Sequence, residues 1–268
     1  MNLSISNIAW PIEKESAYLS LIKGMGVDTI EVAPSKIWKE PVEVSKADRR
    51  SYKKSINKAG ITICAIQSLL FTRGDLNIFG TKEGNHQTQQ YLQSLCYVAS
   101  DLGAKVLVYG SPKSRMRNEI EMDVAMSRAA EFFEPVAAIA RDLGVIFCIE
   151  PLGKTETDFI NTLDEGNQLV KLINSSGFKL HIDSKAFSEE GVELASVLPA
   201  ILPNVKHFHI SEPELLEINS SGRVKHLSYA KALKTSDYQH YVSIEMKTLP
   251  NFDSAIKNSI LEAKKIYV

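Results

Sequence analysis

The sequence predicts an α/β fold, a closed (β/α)8 barrel, and three observations indicate it. The 268 residues alternate eight strand-like segments with eight amphipathic segments, the number and length that eight βα units need. Glycine follows several helical segments just before the next strand, as in short αβ loops. The strand-to-helix connections are longer and polar, so functional residues are expected at the carboxyl ends of the strands.

Eight short runs rich in β-branched and aromatic residues are typical of strands. In chain order they are LSISNIAW, DTIEVAP, ITICAIQSLLF, KVLVYGS, VIFCIEPL, FKLHIDS, VKHFHIS and YVSIEMK. An open doubly wound sheet is the alternative, and it usually shows a glycine-rich fingerprint after an early strand. The turn after the first strand is PIEKES, without GxGxxG or a P-loop, which favours the barrel.

Amphipathic segments with helical periodicity lie between the strands. They cover residues 15–25, 45–59, 85–102, 122–143, 162–175, 189–201, 228–235 and 252–266. Glycine caps are expected in the joints KGMGVD, NKAGIT, SDLGAK, RDLGVI and NSSGFK. No Ser-, Gly- or Pro-rich linker interrupts the pattern, so a single TIM-barrel domain over residues 1–268 is predicted.

Charge and cysteine content narrow the partners and the location. Thirty-one basic and 32 acidic residues give a net charge of -1, so no global field attracts nucleic acid or an anionic membrane. Cys64, Cys96 and Cys148 are odd in number and lack CxxC spacing, which predicts reduced thiols and a cytoplasmic location. No basic region precedes an apolar N-terminal core and no apolar run could span a bilayer, so no membrane partner is expected.

Four consecutive predicted strands end with one ionisable residue each: Glu150, Asp183, His209 and Glu245. In a parallel barrel these ends meet at one mouth, where three converging carboxylates would repel one another unless a cation lay among them. Singly, Asp183 could instead cap the next helix, and the glutamates could be solvated residues beyond a strand. Together they predict a divalent metal site, and oxygen ligands with one imidazole favour Mn²⁺, with Mg²⁺, Co²⁺ and Zn²⁺ as alternatives.

Further side chains near this mouth are candidates for substrate binding. They are Gln67, Lys185, His226, Glu31 and, in the basic loop GSPKSRMR, Arg115. Glu31 and Gln67 could instead hydrogen-bond the metal ligands, and Lys185 and His226 could be a solvated loop residue and a helix-entry residue. The basic loop either meets a phosphate or an acidic sugar or is simply solvated. His207 shares a strand face with His209, so we expect a core histidine or a hydrogen-bond partner there.

The motifs around these positions are ISNIAW, IQSLLF, GSPKSR, CIEPLG, FINT, HFHISEP and VSIEMK, and the four ionisable residues are 33, 26 and 36 positions apart. In these features essentially the whole chain resembles the xylose isomerase-like TIM barrels, which include sugar phosphate isomerases and epimerases, hydroxypyruvate isomerase and ketose 3-epimerases. The resemblance implies that Glu150, Asp183, His209 and Glu245 hold one divalent metal. It also implies that Glu150 and Glu245 move protons, so that a small sugar, keto-sugar or sugar phosphate reacts through an enediolate.

The chain departs from ketose 3-epimerases at two substrate positions of that family. Where they have a histidine three residues after the metal aspartate and an arginine six after the metal histidine, this chain has Ala186 and Leu215. A dehydratase, which is a lyase on the same metal site, is the nearest alternative function. A nucleic-acid repair endonuclease and a non-catalytic sugar sensor fit less well. Trp10 and Trp38, in early βα loops, line either a pocket or a subunit contact, which leaves a homodimer open.

Overall fold

The computed structural model describes residues 1–268, in which eight parallel strands close into a barrel in the order of the chain. The predicted (β/α)8 barrel is therefore confirmed. The strands are β1 (Asn2–Ser6), β2 (Thr29–Val32), β3 (Thr62–Ile66), β4 (Val106–Tyr109), β5 (Ile146–Ile149), β6 (Phe178–Asp183), β7 (Val205–Ser211) and β8 (Tyr241–Glu245).

Ten α-helices surround the barrel, two of them short insertions after β2 and β6. They are α1 (Glu15–Gly24), α2 (Pro34–Ile37), α3 (Lys46–Lys58), α4 (Lys82–Leu102), α5 (Met122–Asp142), α6 (Leu163–Ile173), α7 (Ser184–Ser188), α8 (Leu194–Ile201), α9 (His226–Thr235) and α10 (Phe252–Tyr267). The predicted helix over 189–201 begins later, at Leu194, because Gly191 adopts a left-handed φ of 71° and separates α7 from α8. None of the helices combines the length and apolar character that a bilayer crossing requires.

The helix ends follow the expected chemistry, with one exception. The Thr81 and Thr162 side chains accept the first free N–H groups of α4 and α6, and Gly103 ends α4 with a left-handed φ of 82°. After α6, however, the left-handed residue is Asn174 and not the predicted glycine of NSSG. Gly177 has a different function there, because a Cβ at this position would clash with the backbone of α5 at Ala137.

The interior of the barrel is apolar on one side and polar on the other. Cys64, Ala65, Val106, Val108 and Cys148 form a small buried apolar cluster on the side of β3, β4 and β5. The other strands supply buried polar side chains: Ser4, Ser6, Glu31, His181, Asp183, His207, His209, Ser211 and Ser243. The large apolar core fills the space between strands and helices, so these strand side chains point to the barrel axis.

Two irregularities in strand pairing lie next to buried polar residues. The register shifts between Ile30 and Glu31 where β2 pairs with β3, and between Leu180 and His181 where β6 pairs with β7. A β-bulge bends its strand and changes the direction of the side chains that follow. The extra residues are Cys64 of β3 and Lys206 of β7, so the bends lie in the strands that pair with Glu31 and His181.

Candidate metal centre

The structure brings together the four ionisable residues predicted at the strand ends. One ligand atom each from Glu150, Asp183, His209 and Glu245 lies within 4.8 Å of all the others. His209 Nδ1 is 3.3 Å from Glu245 Oε2 and 3.8 Å from Glu150 Oε1. We call these four residues the metal set.

Strand register explains why the metal set converges. Asp183 of β6 lies directly opposite His209 of β7, and Glu245 of β8 lies opposite Ser211, two residues further along β7. Glu150 follows β5 immediately, where its N–H donates to the Tyr109 carbonyl at 3.1 Å. Alternation along parallel strands then directs these side chains to the same end of the barrel axis.

Asp183 is held by its neighbours as well as by its strand. Its Oδ1 accepts the Ala186 N–H at 2.7 Å, which caps α7, and its Oδ2 accepts the Ser211 hydroxyl. Burial, and then Glu245, raise the pKa of Asp183 to about 6 in spite of His209 and these hydrogen bonds. The aspartate therefore both caps a helix and faces the metal set.

Glu150 and His209 are strongly coupled to the surrounding charges. Burial raises the pKa of Glu150 well above its usual value; His209 opposes this effect, and Glu245 and Asp183 add to it. Burial would lower the pKa of His209, but Glu31 and Glu245 outweigh it and hold that pKa well above its usual value. The same carboxylates attract a metal ion, so a divalent cation and a proton compete for His209 Nδ1.

Glu31 lies beneath the metal set and fixes the orientation of His209. Its Oε2 is 2.9 Å from His209 Nε2 and 3.4 Å from His207 Nε2, and all three side chains are buried. Burial would raise the pKa of Glu31, yet the imidazoles of His209 and His207 hold it well below its usual value. An ionised Glu31 accepts the Nε2 proton of His209, so the Nδ1 side of the ring faces the carboxylates of the metal set.

The donor atoms fit a divalent metal ion. His209 Nδ1 is buried and has no hydrogen-bond partner, which is costly for a polar atom unless something else satisfies it. Carboxylate oxygens from three strands lie around it. One neutral imidazole and three carboxylates form a donor set suited to Mn²⁺ or Mg²⁺, and to Zn²⁺ or Co²⁺ as well.

A further histidine, His181, lies next to the metal set and was not predicted from the sequence. It is fully buried on β6, with Nε2 3.5 Å from Glu150 Oε1 and its ring centroid 4.1 Å from that of His209. Neither of its ring nitrogens has a hydrogen-bond partner. Its position two residues before Asp183 is the sequence signal that could have identified it, because residues i and i+2 of a strand share a face.

A cavity of about 520 Å³ opens above the metal set. Glu150, Asp183 and Glu245 line it, together with the predicted residues Gln67 and Lys185. The Gln67 amide donates to the Ser6 hydroxyl at 2.6 Å, and Lys185 pairs with Glu156 at 2.5 Å and with Glu189 at 3.5 Å. The structure thus brings two of the predicted substrate contacts to the space beside the metal set.

The loop after β4 is shaped to admit Glu150. A Cβ at Gly110 would meet the Glu150 carboxylate, so the missing side chain leaves room for that carboxylate in its present position. Ser111, the next residue, has a left-handed φ of 42°, and Ser68 after β3 has a φ of 55°. Both serines line the cavity, and backbone strain of this kind often occurs where a loop is fixed for function.

The other three predicted substrate contacts lie away from the cavity surface. Glu31 contacts imidazoles, as described above. His226, at the start of α9, is enclosed between Glu212 and Tyr267: its Nε2 is 3.0 Å from Glu212 Oε1 and its Nδ1 is 2.8 Å from the Tyr267 hydroxyl. Glu212 also accepts the Asn219 N–H at 2.9 Å, so this cluster fixes the loop after β7.

Arg115 is fully buried instead of lying in a solvated basic loop. It ends a short 3-10 turn, Pro112–Arg115, and none of its three guanidinium nitrogens has a hydrogen-bond partner. Burial lowers its pKa to about 10, while Tyr109, Glu150 and Glu156 oppose that effect. The guanidinium is therefore close enough to Glu150 to interact with its charge, although it does not line the cavity.

Comparison with known proteins gives consistent results. Residues 19–264 match the xylose isomerase-like TIM barrel family. Over 133 residues the chain is 29% identical to a D-psicose 3-epimerase of Agrobacterium fabrum, which is 49% of this chain and 46% of that enzyme. An L-ribulose 3-epimerase of Methylomonas is 26% identical over 152 residues, 57% of this chain and 50% of that protein. The chain thus spans half the length of these relatives or less.

Solved structures are similar over their full length. A 3-keto-D-glucoside 4-epimerase from E. coli has a TM-score of 0.83 at 17% identity, covering 99% of both chains. The IolI protein, solved with a bound zinc atom, has a TM-score of 0.75 at 18% identity, covering 99% of this chain and 96% of that one. At these identities the likeness shows a shared fold.

Proposed function

The chain belongs to the xylose isomerase-like TIM barrel family, and from this premise we propose that it is a metal-dependent sugar isomerase or epimerase. Its substrate would be a small sugar, keto-sugar or sugar phosphate. The main support is the metal set at the floor of a cavity of about 520 Å³, which accepts a ligand of this size. The partial sequence similarity to a D-psicose 3-epimerase and an L-ribulose 3-epimerase points in the same direction.

Glu150, Asp183, His209 and Glu245 would hold one divalent ion, with Mn²⁺ favoured by the three carboxylates. Such an ion would polarise the carbonyl of an α-hydroxy carbonyl substrate and stabilise the negative charge of its enediolate. Glu31 would keep His209 in the tautomer that leaves Nδ1 free.

We assign the proton transfers to Glu150 and Glu245. Glu150 follows β5 and Glu245 ends β8, so the two carboxylates approach the cavity floor from different strands. Both residues line the cavity. One would remove the proton next to the carbonyl and the other would return it, on the opposite face for an epimerase or at the neighbouring atom for an isomerase. Gly110 leaves room for the Glu150 carboxylate in this position.

Gln67 and Lys185 would contact the substrate from the cavity wall. The Gln67 carbonyl oxygen accepts the Ser68 hydroxyl at 3.5 Å and has a second lone pair for a sugar hydroxyl. The Lys185 ammonium lies between two acids. Glu31 and His226 would act indirectly, by orienting His209 and by fixing the loop after β7. Arg115 stays a candidate contact for a phosphate or a carboxylate of the substrate. Because Arg115 is fully buried, that group of the substrate would need to reach behind the cavity wall.

Solvent deuterium incorporation tests this proposal. The protein is loaded with Mn²⁺ and incubated in D₂O with a panel of ketoses and ketose phosphates, and products are analysed by mass spectrometry. Incorporation of one deuterium without loss of water supports an isomerase or epimerase, and loss of water would indicate the dehydratase instead. Absence of incorporation with every ketose would contradict the proposal.

Two finer features stay predictions. The three free, buried cysteines fit a reducing compartment, so a cytoplasmic location is proposed. A homodimer is the proposed assembly, and light scattering during size-exclusion chromatography would measure it.

A further inference from the structure

We infer that His181 gives the metal centre a second, deeper ion position and makes the protein discriminate between zinc and manganese. This inference rests on the proposed metal-dependent function. The deeper position is formed by Glu150, His181 and His209, which we call the inner triad. The metal set would take Mn²⁺, and the inner triad would take Zn²⁺.

The environment of His181 indicates that it is more than a packing residue. Its side chain is fully buried, and both ring nitrogens lack a hydrogen-bond partner. The Oε1 atom of Glu150 lies 3.5 Å from His181 Nε2. A buried imidazole without partners is costly, because each nitrogen loses its hydrogen bonds with water. A ligand that accepts the lone pair of Nε2 would compensate that cost.

The inner triad has the dimensions of a zinc site. Its ligand atoms all lie within 4.8 Å of one another. The two separations that involve Glu150 Oε1 are 3.5 Å to His181 Nε2 and 3.8 Å to His209 Nδ1. Zinc bonds of 2.0–2.1 Å in a tetrahedral site place neighbouring ligand atoms about 3.3 Å apart. Small adjustments would therefore complete the site.

The two positions exclude each other, because they share ligand atoms. His209 Nδ1 has one lone pair and faces Glu150 in both arrangements. Asp183 and Glu245 belong only to the metal set, and both line the cavity. His181 is two residues before Asp183 on β6 and does not line the cavity, so an ion at the inner triad lies further from a bound substrate.

Donor chemistry decides which ion prefers which position. The metal set offers three carboxylates and one imidazole, whereas the inner triad offers two imidazoles and one carboxylate. Carboxylates suit Mn²⁺ and Mg²⁺, and imidazoles suit Zn²⁺. We therefore expect Zn²⁺ to move to the inner triad and to compete with Mn²⁺ by withdrawing Glu150 and His209 from the metal set.

The register shift between Leu180 and His181 is consistent with this assignment. It places an extra residue of β7 beside the bond that precedes His181, and it is one of two such shifts in the barrel. Shifts of this kind often direct a side chain toward a functional site. Here the extra residue lies on β7, between Val205 and His207, so the bend falls in the strand that carries His209.

His207 provides a matched control. It is also a buried histidine beneath His209, with ring centroids 5.3 Å apart. Its Nε2 is instead 3.4 Å from Glu31, so it belongs to a third group, Glu31, His207 and His209, in which the Glu31 carboxylate already pairs with both imidazoles, and to neither the metal set nor the inner triad. Its replacement should therefore affect both ions through the orientation of His209, without distinguishing between them.

Metal affinities of the chelator-stripped protein test the inference. Zn²⁺ and Mn²⁺ are titrated in competition with a chromophoric chelator into the wild type, His181→Asn and His207→Asn. We expect His181→Asn to weaken Zn²⁺ binding by about tenfold or more and to leave Mn²⁺ binding within about threefold, while His207→Asn changes both by a similar factor. Equal effects of His181→Asn on both ions, or none, would overturn the inference.

X-ray absorption at the zinc and manganese edges of the wild type provides a readout that needs no variant. Two imidazoles around Zn²⁺ and one around Mn²⁺ are expected, and one imidazole around both would refute the inner triad even if His181→Asn fails to fold.

Asp183→Asn distinguishes failure of this inference from failure of the proposed function. Mn²⁺ binding that depends on Asp183, with Zn²⁺ binding independent of His181, defeats only this inference; no Mn²⁺ binding by the wild type defeats the proposed function.

Discussion

Two buried glutamate–histidine pairs in this barrel have similar geometry. They differ in whether the second ring nitrogen of the histidine, Nδ1, has a hydrogen-bond partner. In the first, Glu31 lies 2.9 Å from His209 Nε2; in the second, Glu212 lies 3.0 Å from His226 Nε2. The Nδ1 of His226 bonds the Tyr267 hydroxyl at 2.8 Å, which completes its hydrogen bonding. The Nδ1 of His209 has no hydrogen-bond partner and faces carboxylates.

The comparison teaches that burial and an acidic partner do not distinguish a metal ligand from a structural histidine. Both glutamates have pKa values below the usual range, because the neighbouring imidazoles outweigh the effect of burial in each pair. The second ring nitrogen makes the distinction. Where it is satisfied, the pair fixes a loop; where it is not, we propose that the free nitrogen binds an ion.

The largest expected difference comes from removing each histidine. His209→Ala should abolish binding of one divalent ion per chain and lower kcat/KM by about a thousandfold or more, since the ion and its orientation are lost together. His226→Ala should retain the ion and lose about 1–3 kcal/mol of unfolding free energy, because Glu212 and Tyr267 lose a buried partner. Metal analysis after gel filtration and denaturant unfolding measure the two effects. Loss of metal in both variants would remove the distinction.

Glutamate-to-glutamine changes sharpen the comparison at the carboxylates. Glu150→Gln and Glu245→Gln should fold normally and lose turnover by about a hundredfold or more, since an amide cannot move the proton. Glu212→Gln is the matched control: Glu212 also reaches the cavity wall, but its carboxylate is occupied by His226 and Asn219, so the substitution should reduce stability more than turnover. Steady-state kinetics with saturating Mn²⁺ distinguishes them, and wild-type rates in Glu150→Gln or Glu245→Gln would refute the assignment.

A smaller effect is expected when the acid of the first pair is changed. Glu31→Gln should weaken Mn²⁺ binding by about 10- to 100-fold, because the outer partner of a ligating histidine sets its tautomer and basicity. Glu212→Gln should leave Mn²⁺ affinity unchanged within error, because His226 belongs to no ligand set. Chelator competition measures both affinities. Similar losses in the two variants would mean that Glu31 has no special relation to the ion.

Acid should affect the metal set and the Glu212–His226 pair at different pH. The pKa of Asp183 is raised to about 6, so protons compete with the ion as the pH falls toward that value, and metal release is expected there. In the metal-free protein the same raised pKa increases stability as the pH falls through about 6. Burial would raise the pKa of Glu212, but His226 and Ser221 hold it below its usual value, so stability from that pair persists above the unfolded-state pKa. It is lost only as the pH falls through the lowered native pKa.

Metal content after dialysis and the unfolding free energy of the metal-free protein, measured across the acid range, check this order. Asp183→Asn should remove the stability gain near pH 6, and Glu212→Gln should remove the loss at lower pH. Release of metal and loss of stability in a single window, unaffected by either variant, would contradict the separate titrations.

The sequence was sufficient for the barrel and for the four strand ends because both depend on local order. Strand ends in a parallel barrel meet at one mouth, so Glu150, Asp183, His209 and Glu245 could be placed together by counting strands. His181 could have been found in the same way, two residues before Asp183, but a histidine in an apolar run is equally typical of a core.

Partners distant in the chain explain where sequence reasoning stopped. His226 is satisfied by Tyr267, 41 residues later, and by Glu212, and no local pattern reveals that both nitrogens are occupied. Arg115 is predicted either to meet a phosphate or an acidic sugar at the mouth or to lie in a solvated loop, yet this residue, at the end of the 3-10 turn after β4, is fully buried. Contacts of this kind depend on how loops pack onto the barrel, which spacing alone does not encode.

The most direct test of the central claim is a crystal structure of the protein soaked with Mn²⁺, with anomalous scattering recorded above and below the manganese absorption edge. One anomalous peak within bonding distance of Glu150, Asp183, His209 and Glu245 is the predicted result. A peak elsewhere, or no peak at a concentration that saturates binding in solution, would contradict the account.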